Sequence, residues 1–557
     1  MSATDHIEKA DLQAGSHVTE TLKDEATVDD LTYLSGWRLH CLTIALFLSI
    51  FLVNFEISIV STSLVSITDD LLGFGRSSWV VTSYLMVYTA FMVVLAKLSD
   101  NVGRKSVLLL CLSGFIVFSG GCGAAQTMNQ LIVLRAFQGL GASGVYSLVC
   151  IVLFELVPKE KYPRYSVCIA ALFVVSLLLG PLLGGLISER STWRWVFLLN
   201  VPVGLPALGL LCVCMPKGFP RHDHPGSRPP QHRRTDLIGA FLMLLALTLV
   251  ITGFEEASNF SRWTSAVVLA PLIISALAWM MFLGYERYIT VNDTESEPVF
   301  PWRFCTNGAI VGIMINAFLA GATFTTCVIQ IPLRFQVVNN ETSWQAGIRL
   351  VPFGLAVPVG VALTAAICGK RRLPPIYLLF VASALKIIGI VFLSRVTLDR
   401  VLWKGQYGLQ FVTGLGCGLS IGVTQLMVPF VIEKRDLGMC KNNNVAVSFT
   451  YPCFTATSTS ASVQFRILGG AIALATVTAA MNSTIKPELA ALVSQEELAH
   501  LLRTTTAIHI LEQPIRMYVQ MIFMDGYNLQ LKILVGFAAA EIPATCLIWQ
   551  RDQVRIA

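Results

Sequence analysis

Two ionisable side chains lie inside apolar stretches that are long enough to cross a membrane. Glu56 follows the apolar run 44–55, and hydrocarbon favours the uncharged form of a carboxyl group, so such a group can exchange a proton when its surroundings change. Arg135 lies in Leu134-Arg-Ala-Phe-Gln138-Gly-Leu-Gly141, where a cation is costly unless it faces a cavity or a partner. These residue types predict proton transfer within the membrane, with Glu56 as the first candidate for the coupling group. Two alternatives stay open: Glu56 as a structural acid bonded to another helix, and Arg135 extending to the membrane interface.

The elements that must position these residues are membrane helices. The 557 residues are 54% hydrophobic and 13% charged, with a mean hydropathy of +0.67, which excludes an ordinary soluble protein. Apolar runs of about 20 residues recur without strand-like alternation, so we predict an all-α polytopic membrane protein. The fourteen predicted spans are 40–66, 79–98, 106–125, 130–153, 165–187, 195–214, 237–254, 264–284, 308–330, 344–367, 374–396, 405–432, 457–482 and 530–549.

The distribution of basic residues sets the predicted topology. The net charge of +6 comes from Lys and Arg in the short connections, so it indicates orientation and no nucleic-acid partner. Both termini are expected in the cytosol, without a cleaved signal peptide, in the cell membrane or alternatively a vacuolar or vesicle membrane. The predicted domains are a disordered tail (1–37), a six-helix bundle (38–214), a cytosolic loop (215–236), two extra helices (237–284), a second six-helix bundle (285–549) and a cytosolic tail (550–557).

The connection after the second span carries a dense polar motif, Ala96-Lys-Leu-Ser-Asp100-Asn-Val-Gly103-Arg104-Lys105. Gly103 permits a sharp turn, and Asp100 can pair with Arg104 in a latch at the cytoplasmic face. The motif resembles the loop between the second and third spans of the major facilitator superfamily, whose pattern is G-x-L-a-D-r-x-G-r-k; a simple stop-transfer cluster is the alternative. A weaker repeat of it, 368–375, fits two bundles related by a pseudo-twofold axis.

Motifs in the fifth and first spans resemble one group within this superfamily, the antiporters. Gly180-Pro181-Leu-Leu-Gly184-Gly185 combines a proline kink with close-contact glycines, and with the following 193–204 it is similar to the antiporter motif of the superfamily. It is expected to act as a hinge or as a seal between the bundles. The segment 55–65 resembles L-D-x-T-I-V-x-x-A-L-P of the fourteen-span drug:proton antiporters, with Glu56 in place of aspartate.

The resemblance extends over almost the whole chain and implies further site residues. In the family, the arginine of R-x-x-Q-G-x-G, here Arg135, is linked to proton transfer. Candidates for lining the substrate cavity are Gln138, Arg334, Gln336 and Arg466, and Arg334 stands where an aromatic residue is usual. Fungal members look like exporters of toxins and other secondary metabolites. The resemblance therefore implies an efflux pump for small amphipathic molecules that works by alternating access and is driven by protons.

Other functions are less well supported by the sequence. The chain has no G-x-x-x-x-G-K-[ST] loop, so no ATP or other cofactor is expected, and no catalytic cluster predicts an enzyme. A facilitator or an importer of a small molecule such as an iron chelate remains the first alternative, and a non-transporting sensor or scaffold is remote. We expect a monomer. His222, His224 and His232 share a loop that could bind a metal, although a solvated linker is favoured and no metal site is predicted.

Two sequence features concern processing. The tripeptides at Asn259, Asn340 and Asn482 are candidate glycosylation sites in predicted outer loops. The stretch 439–455 is an atypical insertion relative to the family's short loop, and Gly438-Met-Cys440 can be encoded by codons that contain a 5′ splice sequence. This stretch is therefore hypothesised to be a translated, unspliced intron, which sequencing of the transcript would test.

Overall fold

The structure is a computed structural model. It describes residues 36–157, 162–216, 234–258, 263–292, 296–297, 302–370, 373–396, 403–440, 451–501, 508 and 511–549.

The described residues form helices because a chain in hydrocarbon must satisfy its backbone hydrogen bonds within each segment. Fourteen stretches of these helices are long and apolar enough to cross a membrane, which confirms the predicted number. The first bundle consists of α1 (Trp37–Asp70), α2 (Ser77–Val102), α3 (Arg104–Ala124), α4 (Met128–Leu156), α5 (Tyr162–Arg190), α6 (Arg194–Leu198) and α7 (Asn200–Cys214), where α6 and α7 together make the sixth span.

The second half repeats this organisation after an inserted pair. The inserted pair is α8 (Leu237–Ser258) and α9 (Ala266–Val291), and a short α10 (Arg303–Thr306) follows it. The second bundle consists of α11 (Gly308–Val337), α12 (Ser343–Lys370), α13 (Pro375–Leu393), α14 (Gly405–Cys440), α15 (Tyr451–Leu492), α16 (Gln495–Leu501) and α17 (Ile515–Cys546). We call the end of the molecule that carries Asp100 to Lys105 the basic end, and the other end the far end.

The two bundles share one packing scheme, fixed by glycines in their fourth helices. A Cβ on Gly139 of α4 would lie 2.4 Å from the carbonyl oxygen of Tyr84 in α2, and one on Gly141 would lie 2.5 Å from the backbone of α3. In α14, Gly414 meets the backbone of α12 at 2.6 Å and Gly416 meets that of α13 at 2.7 Å. Equivalent glycines thus bring equivalent helices into backbone contact, as in a structural repeat.

The inserted pair lies against both bundles. α8 packs on α9, on α2 and on α15, so it bridges the halves along one side of the molecule. The ends of the pair meet in a two-residue parallel pairing of β1 (Arg234–Thr235) with β2 (Ser296–Glu297), the one departure from helix among the described elements. α9 contributes mainly to the outer surface, because only 22% of its apolar stretch is buried.

Several predicted helix ends are wrong. α11 continues to Val337 where the prediction ended at 330, so Arg334 and Gln336 lie inside the ninth helix. α15 continues to Leu492 where the prediction ended at 482, which places Asn482 within a helix and not in an outer loop. α17 begins at Ile515 where the prediction began at 530. In each case polar residues lowered the local hydropathy, although their side chains are buried in the bundle.

The atypical stretch 439–455 lies partly outside the described residues, which omit 441–450. On either side of this gap the chain is helical, because α14 runs to Cys440 and α15 begins at Tyr451. The intron hypothesis stays a prediction.

Candidate functional site

The two charged residues singled out in the sequence form one ion pair in the interior of the first bundle. Glu56 of α1 is fully buried and Arg135 of α4 is 1% exposed, and the guanidinium donates from Nη1 to the carboxylate. Arg135 also donates from Nε to the carbonyl of Val80 at 3.0 Å and from Nη1 to Oε1 of Gln138 at 2.7 Å. Its guanidinium carbon lies 4.3 Å from the ring centroid of Tyr84. Arg135 therefore does not extend to the membrane interface, and that alternative is wrong.

Two further polar residues complete the network around this pair. Nδ2 of Asn200 in α7 donates to Oε2 of Glu56 at 2.6 Å, and Nε2 of Gln138 donates to the hydroxyl of Ser119 in α3 at 2.7 Å. Four helices thus share one buried polar cluster. The prediction missed both residues: Asn200 lies in the motif quoted for the antiporter resemblance, whereas nothing in the sequence marks Ser119. Gln138, which we expected to line the substrate cavity, instead bonds within this cluster.

The cluster allows a carboxyl group to change its charge inside the protein. An ionised Glu56 is stabilised by Arg135 and by the amide of Asn200, while a protonated Glu56 would leave the guanidinium without its partner. Charges removed from water are costly unless they are paired, so gain of a proton and separation of the pair favour each other. Such a pair can therefore couple proton uptake to a movement of α4 relative to α1.

A cavity lies between the two bundles, and we call it the central cavity. Its walls combine apolar and aromatic side chains with a few polar groups, as in many sites for small organic ligands. Tyr88 connects it to the ion pair, because its ring stacks on that of Tyr84 with centroids 5.7 Å apart. The residues that carry its polar and aromatic character are Asn54, Ser58, Tyr88, Phe173, Phe324 and Arg466.

Arg466 of α15 is the charged group of the central cavity. It is 8% exposed, and its guanidinium carbon lies 5.5 Å from the ring centroid of Phe173 in the other bundle. Its Nη1 atom has no hydrogen-bond partner, and no carboxylate of the described chain lies within 4 Å of the guanidinium. The candidate Arg466 thus lines the central cavity, and its role toward a ligand stays a prediction.

Arg334 and Gln336 lie near the far end and occupy different surroundings. Arg334 lines a separate cavity inside the second bundle. Gln336 instead joins the bundles: its Nε2 donates to the carbonyl of Thr62 in α1 at 3.1 Å, and its Oε1 lies 3.3 Å from the hydroxyl of Ser343. Gln336 lines none of the cavities described here, and its role at a substrate cavity stays a prediction.

A second buried ion pair lies in the second bundle. Lys386 of α13 and Glu541 of α17 are both fully buried, with Nζ and Oε1 2.5 Å apart. The hydroxyl of Ser383 donates to Oε2 of Glu541 at 2.8 Å, and Nζ of Lys386 donates to the hydroxyl of Ser420 at 3.0 Å. None of the four lines a cavity described above, so they tie three helices together in the closed interior of the bundle.

The polar motif at the basic end forms the predicted latch. Arg104 pairs with Asp100, donates to Ser99 Oγ at 2.6 Å, and pairs with Oε1 of Glu155 at the end of α4 at 3.1 Å. Burial raises the pKa of Glu155, although the charge of Arg104 acts in the opposite direction. Because of this raised pKa, Glu155 takes up a proton at a higher pH than an exposed glutamate, which would weaken its bond to Arg104.

Gly103 and Lys105 have separate roles in the same motif. Gly103 has a φ of 103°, so it makes a turn between α2 and α3 that other residues rarely adopt. Lys105 donates from Nζ to the carbonyl of Cys212 at 2.7 Å and to that of Met215, at the carboxyl end of α7. A cation is favourable at this position of a helix. The motif therefore joins α2, α3, α4 and α7 at the basic end.

The glycines of the antiporter-like motif hold α5 against both bundles. A Cβ on Gly180 or Gly184 would lie 2.0 and 2.2 Å from atoms of α1, and one on Gly185 would lie 2.4 Å from the carbonyl oxygen of Ser343 in α12. The carbonyl of Pro181 accepts a bond from the hydroxyl of Thr62 at 3.0 Å. This contact between α1, α5 and α12, which we call the far-end seam, fits the expected seal between the bundles.

The candidate glycosylation sites and the loop histidines differ in whether the structure describes them. Asn340 is exposed and has a φ of 55°, in the connection after α11, whereas Asn482 is partly buried inside α15. Asn259 and the loop histidines His222, His224 and His232 lie outside the described residues. Among the described residues no group of three or more His, Cys, Asp and Glu side chains could hold a metal ion. Glycosylation stays a prediction.

Comparison with known proteins gives a consistent result. The profile described as Major Facilitator Superfamily matches residues 46–451. The chain is 37% identical over 534 residues to "MFS-type transporter FPY5" of Fusarium mangiferae, covering 95% of this chain and 86% of the relative. It is 29% identical to "Multidrug resistance protein 3" of Bacillus subtilis (72% and 75% covered) and 26% identical to "MFS efflux transporter aclA" of Aspergillus oryzae (75% and 73% covered).

The fold agrees with this match. A crystal structure of a bacterial homologue of the human lysosomal transporter Spinster, inward-facing and unoccupied, superposes with a TM-score of 0.61 at 12% identity, covering 93% of this chain and all of the other. At that identity the similarity concerns the fold alone. With the profile match over most of the chain and the paired bundles described above, the chain belongs to the major facilitator superfamily of membrane transporters.

Proposed function

We propose that this transporter is a proton-coupled exporter of small amphipathic organic molecules. The observation that carries the proposal is the buried Glu56–Arg135 pair, which lies beside the cavity between the bundles. Export rather than import is supported by the antiporter-like motif in α5 and by the names of relatives that describe efflux or multidrug resistance. The described chain supplies a titratable group, an adjoining ligand cavity and a seam that could open and close.

In the proposed cycle, Glu56 alternates between two states. With the cavity open to one side, the ionised carboxylate pairs with Arg135 and substrate occupies the central cavity against Phe173 and Phe324. The bundles rock about the cavity and substrate leaves on the other side, where Glu56 takes up a proton. Protonation releases Arg135 and allows α4 to move, and the protonated transporter returns to the first side. Deprotonation then restores the pair. Proton entry and substrate exit thus use the same conformational change in opposite directions.

The positive-inside rule supports a cytosolic basic end, and we propose that both termini lie in the cytosol and that the transporter resides in the cell membrane. We expect the transporter to act as a monomer, because each chain holds both bundles and the cavity between them. The far-end seam then separates the central cavity from the outside in the conformation described here. An exporter would open this seam to release its substrate.

Proton movement in proteoliposomes tests the proposal. The purified protein is reconstituted with a pH-sensitive dye inside, a pH gradient is imposed, and hydrophobic compounds such as ethidium and rhodamine 6G are added. Wild type is expected to move protons when substrate is added. Glu56→Gln, which cannot ionise, is expected to abolish that movement, whereas Glu56→Asp keeps a carboxyl group and retains it in part.

Glu341→Gln is the matched control, since Glu341 also pairs with an arginine, Arg349 at 2.5 Å, but lies away from the central cavity. It is expected to move protons like wild type. If Glu56→Gln transports protons as wild type does, Glu56 is not the coupling group. If wild type equilibrates substrate without any proton movement, the protein is a facilitator and the proposal is wrong.

A further inference from the structure

The cavity inside the second bundle has a polar lining that its own side chains do not satisfy. It lies between α11, α13, α14 and α17. We call it the Arg334 cavity. Its polar lining residues are Gln330, Arg334, Gln406, Gln410, Tyr527 and Gln530.

Arg334 is a buried cation without a countercharge. It is 8% exposed, and no carboxylate of the described chain lies within 4 Å of its guanidinium. Among the described residues its guanidinium makes one hydrogen bond, from Nη1 to the carbonyl of Leu393 at 3.5 Å. A charge removed from water is costly unless it is paired. The cavity thus presents an excess positive charge.

The neighbouring groups add hydrogen-bonding capacity of the same kind. The hydroxyl of Tyr527, which is 2% exposed, and Nε2 of Gln406 have no partner among the described residues and can donate. The side-chain oxygens of Gln330, Gln410 and Gln530 are also without partners and can accept from hydroxyl groups or from water. A guanidinium beside a phenol and an amide is a donor set that matches a carboxylate, which an arginine can bind with two parallel bonds.

The Arg334 cavity adjoins the space between the bundles. Gln330, Tyr527 and Gln530 also line a third cavity, whose opposite wall is formed by Leu64 and Phe74 of the first bundle. Ile329 in turn lines both this third cavity and the central cavity. A ligand in the central cavity therefore has neighbouring cavities that lead toward the far end, and Arg334 lies along that course.

The internal repeat allows the Arg334 cavity to be compared with the region around Arg135 in the first bundle. Leu134-Arg135-Ala-Phe-Gln-Gly139-Leu-Gly141 aligns with Leu409-Gln410-Phe-Val-Thr-Gly414-Leu-Gly416, and the glycines of both segments make equivalent helix contacts. Gln410 thus occupies the position of Arg135. In the second bundle the arginine is on α11 instead, and it has no acid corresponding to Glu56. The region that holds the Glu56–Arg135 ion pair in the first bundle therefore holds, in the second bundle, an arginine without an acidic partner among the described residues.

We propose that the Arg334 cavity is a second substrate subsite, which binds the carboxylate of an organic acid on its way to the far end. The inference deepens the proposed function by naming organic acids as the substrate class. The claim that the bound acid is transported rests on the proposed function. Binding of an acid to Arg334 does not, because it can be measured without transport.

Binding to the purified full-length protein in detergent tests the subsite. The probes are two acids and their uncharged amides, 1-naphthylacetic acid with 1-naphthylacetamide and 4-hydroxybenzoic acid with 4-hydroxybenzamide, measured by calorimetry at pH 7. Wild type is expected to bind at least one acid about tenfold more tightly than its amide, as for a charged hydrogen-bonded pair. Arg334→Gln is expected to remove this preference without changing amide binding, and Arg334→Lys to retain part of it.

Two controls distinguish the subsite from other effects. Arg194→Gln removes an arginine that pairs with Asp70 at 3.0 Å outside the cavities, and it is expected to keep the full preference. Tyr527→Phe removes one hydroxyl and should weaken acid binding by a smaller factor, which tests the subsite even if Arg334→Gln does not fold. Equal binding of acid and amide, or of neither, by wild type overturns the proposal.

The site assignment has its own decisive outcome. If Arg466→Gln removes the preference for acids and Arg334→Gln does not, the anion binds in the central cavity and the Arg334 subsite is wrong. The proteoliposome experiment remains independent of these results. A protein that binds acids through Arg334 but moves no protons would refute proton coupling and leave the subsite standing.

Discussion

Buried charges of the two bundles fall into two groups that differ in their surroundings. Glu56–Arg135 and Lys386–Glu541 are paired and enclosed by neighbouring helices. Arg334 and Arg466 have no acidic partner among the described residues, and each lines a cavity. An enclosed charge needs its partner, whereas a cavity can supply one from outside. We therefore propose that the first group stabilises the fold or switches it and that the second group binds ligands.

Lys386→Met is expected to destabilise the second bundle strongly. Removing one member of a buried pair leaves the carboxylate of Glu541 without its cation, a cost of about 3–5 kcal/mol in comparable cases. Replacing both residues, in Lys386→Met with Glu541→Met, removes both charges and should recover most of the lost stability. Thermal unfolding of the purified variants, followed by fluorescence-detected gel filtration, measures the difference. A single variant as stable as wild type would contradict the structural role given to this pair.

At the scale of single residues, the sequence could predict which buried side chains are ionisable but not which side chains they bond to. Glu56 and Arg135 are recognisable because charged residues are rare in apolar runs. Their pairing joins positions 79 residues apart in the chain, which no local pattern encodes. Ser119 gave no signal at all, because a serine in a membrane helix usually bonds to its own backbone. Whether an arginine has an acidic partner, as for Arg334, is likewise decided by packing.

At the scale of elements, hydropathy locates the membrane helices but not all of their ends. All fourteen spans were predicted, because each must bury its backbone in an apolar segment. The predicted ends failed where a helix continues with buried polar side chains, as α11 does at Arg334 and α17 does at Asn528. In these helices the polar atoms face other helices or a cavity and not lipid. Mean hydropathy cannot distinguish that situation from a loop.

Gly103→Ala is expected to destabilise the turn between α2 and α3. Any residue with a Cβ is strained at a φ of 103°, by about 1–3 kcal/mol, and the strain would displace Arg104 from its bonds to Asp100 and Glu155. The variant should unfold at a lower temperature and transport more slowly. Both properties can be measured in the same purified preparation.

Gly114→Ala in the middle of α3 is the control for this prediction. A Cβ on Gly114 would meet nothing within 4 Å, and alanine favours a helix over glycine by up to about 1 kcal/mol. Its stability should therefore equal or exceed that of wild type. Equal losses in both variants would mean that glycine substitution harms this helix generally, and that the turn has no special role.

At the scale of the whole molecule, the bundles meet at the far-end seam and also between α2 and α15, where Nε2 of Gln464 donates to the carbonyl of Thr89 at 2.9 Å. Gly185 lies against Ser343, Gln336 bonds to the backbone of Thr62, and Ser66 Oγ lies 3.4 Å from that of Ser343. The sequence resemblance predicted a seal in α5, but it could not indicate that α12 supplies the other side. A rocking movement that opens the far end must break the contacts of the seam, since they join the two bundles there.

Gly185→Ala is expected to open the far-end seam. Its new Cβ would lie 2.4 Å from the carbonyl oxygen of Ser343, so α5 and α12 must move apart. The rate at which a water-soluble maleimide modifies Ser66→Cys should rise several-fold in this background. The same reaction on protein without the Ser66→Cys change corrects for native cysteines.

Gly209→Ala provides the comparison, because a Cβ there would meet nothing within 4 Å. It should leave the rate of modification at Ser66→Cys unchanged. A rate that Gly185→Ala does not raise would show that the seam tolerates an added methyl group, and that opening is controlled elsewhere. Together the two variants separate contact between bundles from the general effect of a methyl group in a helix.

The short pairing of β1 with β2 has a consequence for how this architecture arose. Arg234 lies beside Ser296 and Thr235 beside Glu297, so the points where the chain leaves and rejoins the rest of the protein are neighbours, about 5 Å apart across the strands. The hairpin of α8 and α9 is therefore an inserted unit whose two ends are neighbours in space. An ancestral chain could have acquired it in one insertion without moving either bundle, and twelve-helix and fourteen-helix transporters would then differ by a single modular step.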